Sequence, residues 1–131
     1  MYKRQVLEAR RFDLDVAAQI GNAPLRIHVM GDQGANHEPA TGDDLEKMAD
    51  IAAEAVEAGA LGFTTSRTIL HRSSDGKQTP SLGAAESELT AIAMGLHKAG
   101  KGVLQLVTDF DDVDAEFAML RRIAEASGRP L

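Results

Sequence analysis

The residues with the most chemistry in this sequence fall in one short run, Ser66 to Arg72, SRTILHR. It directly follows Leu61-Gly62-Phe63-Thr64-Thr65, an alternating stretch that reads as a strand. A guanidinium binds two carboxylate oxygens at once, so Arg67 and His71 suit a substrate that carries a carboxylate. The competing reading is a surface arginine pair, Arg67 and Arg72, balanced by neighbouring acids. Three more candidates lie on or beside the strands. Thr64 is inside the first strand, Gln105 is inside a second one at Gly102 to Thr108, and Asp109 stands at its mouth. Asp15, Gln19 and Ser66 share the same alternation. Polar side chains on a sheet must be hydrogen-bonded or face a wet site. Each is therefore either part of a pocket wall or a satisfied group tying layers together, and the second is the simpler account of any single one.

Other chemistries find little support. The four histidines, His28, His37, His71 and His97, include no H-x-H pair and no pair at helical i,i+4 spacing. His97 falls in the last turn of a helix, where a cation is favourable. Asp109 to Asp114 resembles a calcium loop but has aspartate at the sixth place and Leu120 at the twelfth, where glycine and glutamate belong. GDQGANH does not open a helix as a nucleotide loop would. Without cysteine there is neither a disulfide nor a thiolate metal site. The net charge of -6, scattered arginines and 4% aromatic residues disfavour nucleic acid. No apolar run is long enough for a membrane span, and the charged MYKRQVLEARR is no signal peptide. A cytoplasmic protein is expected.

The elements that must position the candidates are regular. Thr41 caps a helix with Asp44 as its partner three residues on. Leu45, Met48, Ala52 and Ala55 form one face, and Gly59 is the stop. A second helix spans about Glu86 to Ala99, with Leu89, Ile92, Ala93 and Leu96 inward. A third, about Asp112 to Ser127, carries Val113, Phe117, Leu120 and Ala124 inward. Phe12 to Ile20 reads as a further strand, and residues 3–10 as the tail of a helix. Leu25 to Met30 packs as a short helix or strand, and Ser73-Ser74-Asp75-Gly76 makes a turn. Three helix ends, EAGALGF, KAGKGVL and EASGRPL, are variants of one α-to-β joint. The third breaks off at Pro130-Leu131, so the chain reads as a piece of something larger.

Turns from helix to strand are short, whereas two of the three segments from strand to helix run to about twenty residues. In (β/α)8 barrels the segments after the strands carry the site. The expected fold is therefore α/β: one domain over residues 1–131, made of three consecutive β-α units with parallel strands, an incomplete TIM barrel. A doubly wound open sheet is the structural rival.

The run EPATGDDLEKMADIAAEAVEAGALGFTTSRT, Glu38 to Thr68, and DVAAQIGNAPLRIHVMG, Asp15 to Gly31, resemble the middle of the N-acyl-D-amino-acid deacylases. These are a branch of the metal-dependent amidohydrolase superfamily. The resemblance runs from about Leu14 to Leu131 and is carried by the GALG-strand and LR…VMG elements. It implies a barrel hydrolase acting on C–N amide bonds of N-acyl amino acids, with zinc polarising the amide carbonyl and activating water. The chain would supply its third to fifth strands. The zinc ligands would lie outside this chain: where the family ends its fifth strand in histidine, this sequence reads Leu106-Val107-Thr108-Asp109, and no metal ligand is assigned here. Gly21-Asn22-Ala23 also replaces the family's Gly-His-Gly. Substrate would meet Arg67, His71, Gln105, Asp109 and Thr64, and the isolated segment would be inactive. The alternative is a non-catalytic α/β module that binds partners or forms a homo-oligomer through exposed strand edges.

Overall fold

The computed structural model describes residues 2–131, with side chains from Gln5 onward. Its elements in chain order are α1 (Tyr2–Glu8), β1 (Gln19–Gly21), α2 (Asn22–Met30), α3 (Asp32–Ala35), α4 (Gly42–Glu57), β2 (Gly62–Arg67), α5 (Glu86–Lys98), β3 (Val103–Thr108) and α6 (Val113–Ser127). The three strands form one parallel sheet in the order β1-β2-β3. The chain is thus mixed α/β, and each strand is followed by a helix before the next begins.

Local sequence explains where the elements start and stop. Thr41 Oγ1 accepts from Asp44 N at 3.3 Å, and Asp44 Oδ2 accepts from Thr41 N at 3.0 Å, so α4 begins in a reciprocal capping box. Such a cap stabilises a helix by about 1 kcal/mol. The helices α4, α5 and α6 are each followed by a glycine whose φ is positive, Gly59 at 102°, Gly100 at 70° and Gly128 at 62°. Side chains with a Cβ rarely adopt that conformation.

Alternation divides the sheet into two faces. Ile20, Phe63, Leu104 and Leu106 point to the helical side and join the core. They meet Met48, Ala52 and Val56 of α4, Leu89, Ile92, Ala93 and Leu96 of α5, and Met119, Leu120 and Ile123 of α6. The helices α4, α5 and α6 stand side by side, α5 in the middle. Gly21, Thr64, Ser66, Gln105 and Val107 fall on the opposite face, which no helix of this row covers.

Two expectations need correction. The strand read at Phe12 to Ile20 is only Gln19–Gly21. Its neighbour β2 begins at Gly62, opposite Gln19, and the last bond upstream is Leu61 N to Ala18 O at 2.8 Å. Residues 12–17 have no strand beside them, and Leu14 is 81% exposed. The inward side of α6 is Met119, Leu120, Ile123 and Ser127, whereas Val113 and Phe117 are 61% and 65% exposed. The stripe is real, but only its C-terminal half has α5 to pack against. Leu25 to Met30 is helical, within α2.

Candidate functional site

The register places Gly21 beside Thr64 and Thr64 beside Gln105, so three residues stand in a row across the open face near the C-terminal ends of the strands. One pleat further, Ser66 stands beside Val107. Above them the chain folds back twice. After β1 it turns directly into α2, whose first residues are Asn22, Ala23 and Pro24. After β2 it makes a small antiparallel excursion, closed by the Arg72–Gln78 bridge and by a turn at Gly76, φ 81°, where a turn was expected. Ser81 Oγ then donates to Ser66 O at 2.9 Å and pins the returning segment to the strand. The result is a cleft of about 450 Å³ lined by residues 21–24, Thr64, Thr65, Ser66, His71, Thr79, Ser81, Gln105 and Val107. None of these carries a carboxylate, although the chain has 20 acidic residues.

Of the five candidate residues, Thr64, His71 and Gln105 are brought together in this cleft. His71 Nδ1 reaches back to Ser66 Oγ at 2.7 Å. Asp109 stands at the rim rather than in the lining. Its carboxylate accepts from the Thr68 hydroxyl and, at 2.8 Å, from Ile69 N, and so ties the end of β3 to the segment leaving β2. The Thr68 hydroxyl, then the Ile69 amide, then the nearby charge of His71 hold its pKa below the usual aspartate range. A carboxyl whose folded pKa is depressed contributes stability above its unfolded value, about 3.9, and loses it as pH falls through the folded value. We expect NMR titration to place the Asp109 midpoint below that of an unstructured aspartate and Thr68→Ala to raise it. An unchanged midpoint in the variant would contradict the geometry.

Arg67 is on the helical side of β2. Its guanidinium donates to Ala84 O at 2.6 Å and to Glu116 Oε1 at 3.1 Å, and Glu116 Oε2 accepts from Thr108 Oγ1 at 3.1 Å. It locks β2, the approach to α5 and α6 together and does not line the cleft. Asp15 lies in the exposed segment before β1.

The sequence reading missed a buried cluster under the lip. Asn22 Nδ2 donates to Glu88 Oε1 at 2.9 Å, Arg26 Nη1 pairs with Glu88 Oε2, and Arg26 Nη2 donates to Glu38 O at 2.6 Å. All three residues are buried. Their spacing was a usable signal: Asn22, Arg26 and Met30 share one face of α2, and Glu88 shares a stripe with Ile92. The pair fixes Asn22, the first residue of α2, at the edge of the cleft.

Among the described residues no three His, Asp or Glu side chains converge as a metal site. His28 and His37 are exposed, and His97 Nδ1 bonds with Ser127 O at 2.8 Å. The residues present therefore do not fit a zinc cage. No helix among the described residues is long and apolar enough to cross a membrane. The chain matches no protein-family model, no curated protein and no solved structure.

Proposed function

We propose that this chain is a run of three β-α units from a (β/α)8 hydrolase of the amidohydrolase type, acting on the amide bond of an N-acyl amino acid. The observation that carries the reading is the cleft at the C-terminal ends of parallel strands, where barrel enzymes keep their sites. There Thr64, Ser66 and Gln105 offer amide-compatible hydrogen bonds beside His71, and no lining carboxylate opposes an anionic substrate. The barrel rather than the doubly wound sheet is supported by the path after β3. Val103 N donates inward to Leu61 O, so the next amide, Leu104 N, points to the outer edge, where it donates to Pro130 O at 2.8 Å. The main chain after α6 thus returns to the free edge of β3 and does not cross back to β1. Zinc belongs to the chemistry the resemblance implies, and its ligands would lie outside these residues.

A titration with an N-acetyl amino acid, followed by amide shifts, tests the reading. Thr64, Ser66, His71 and Gln105 should respond together. Shifts scattered elsewhere, or none at millimolar ligand, would count against it. Zinc added to the purified 131 residues should produce no deacylation, and turnover would overturn the placement of the metal ligands outside this chain.

A second reading is favoured by Phe110, Val113, Phe117 and Leu131, all exposed after or beside β3. Here the edge of β3 beyond Leu104, whose own amide is taken by Pro130 O, pairs with another copy of the chain, and the module binds rather than catalyses. Sedimentation of a concentration-independent monomer would count against it.

A further inference from the structure

Ser66 and His71 serve the amidohydrolase reading only as substrate contacts, and it makes no use of the hydrogen bond between them. Ser66 Oγ lies 2.7 Å from His71 Nδ1, and both side chains line the cleft. The hydroxyl stands on rigid backbone: Ser66 is held in register with Val107, and its carbonyl accepts from Ser81 Oγ at 2.9 Å. With His71 in its Nε2–H tautomer, Nδ1 is an acceptor for the Ser66 proton. Asp109, fixed by Thr68 and Ile69, stands within electrostatic reach of the imidazole. Across the cleft α2 begins at Asn22, and Gly21 before it supplies no side-chain cap. The amide of Ala23 has no partner within the helix, because a helix leaves its first N–H groups free. Backbone donors of this kind stabilise an oxyanion.

We propose that Ser66 is an acylable nucleophile, His71 its general base, and small activated carboxylic esters the substrate class. Ser66 Oγ bonds to the ester carbonyl carbon while its proton passes to His71 Nδ1. The carbonyl carbon's bond to the alcohol oxygen then breaks, and the proton on His71 leaves with that alcohol. Water attacks the acyl-Ser66 carbon by the same route, giving the carboxylic acid and restoring the serine. Nothing is oxidised or reduced, and no metal takes part, so this activity stands or falls apart from the zinc-dependent reading.

The test uses the full chain with 4-nitrophenyl acetate and excess EDTA at neutral pH, read by nitrophenolate release and by mass spectrometry of the acetylated peptide. The expected result is an acetyl group on Ser66 that Ser66→Ala abolishes. His71→Gln should slow its formation by about 10²-fold or more and remove the ionisation from the pH profile. Amide spectra of both variants establish that each is folded. Acetylation confined to lysines, or nitrophenolate release unchanged in folded Ser66→Ala, would overturn the proposal. A folded His71→Gln that acylates as fast as the parent would remove His71 from it.

Discussion

Glu88→Ala is expected to cost about 3–5 kcal/mol of stability, because it leaves Arg26 buried without its counter-charge. That is a large fraction of the roughly 5–15 kcal/mol typical of a domain. The side chains of Arg26 and Glu88 are 3% and 2% exposed, so bulk solvent does not already stabilise either charge. Asn22 Nδ2 loses its acceptor in the same step, while Asn22 Oδ1 and Arg26 Nε are already buried without a partner among the described residues. The double variant Arg26→Met/Glu88→Leu decides whether the pair or the volume matters. Removing both charges together should recover much of the loss, since buried pairs often break even against apolar residues. Urea unfolding of the three proteins measures this. A Glu88→Ala protein as stable as the parent would mean that the two charges are solvated and that the lip of the cleft is not anchored through them.

Gly95→Ala carries the second large effect, and here two terms oppose each other. Alanine is the better helix former by about 1 kcal/mol, which alone would make the change stabilising. An added Cβ at Gly95, however, would stand 2.2 Å from Ala49 O and 2.9 Å from Ala49 C. Both atoms are backbone of α4 and cannot swing away as a side-chain tip could. Relief requires α4 and α5 to separate, which loosens the contact of Ala52 and Val56 with Ile92 and Leu96. Overpacking of this kind costs about 1–3 kcal/mol or more, so the net change should be destabilising. A urea midpoint at or above that of the parent would show that the two helices stand further apart than described.

The parts of the fold legible in the sequence were those written in local chemistry. Thr41 and Asp44 announced the start of α4, Gly59 its end, and the alternation of Phe63 and Leu104 the helical side of the sheet. What could not be read depended on neighbours. Phe12, Leu14 and Val16 alternate as a strand should, yet β2 starts too late to pair with them. Val113 and Phe117 continue the stripe of Leu120, yet no element covers that half. Periodicity says which residues share a face and not whether anything lies against it. The same limit applies at the site: Arg67 and His71 are neighbours in sequence, but one turns to Glu116 and the other to Ser66. Thr64 and Gln105 were found because alternation along each strand puts them on the face away from the helices.

Cross-strand NOEs test the central claim, that three parallel strands bring their C-terminal ends to one rim and form the cleft there. Parallel contacts should link Gly21 with Thr64 and Thr64 with Gln105, together with contacts between the side chains of Ser66 and His71. Antiparallel Hα–Hα contacts between β2 and β3, or a register that moves Gln105 away from Thr64, would contradict it.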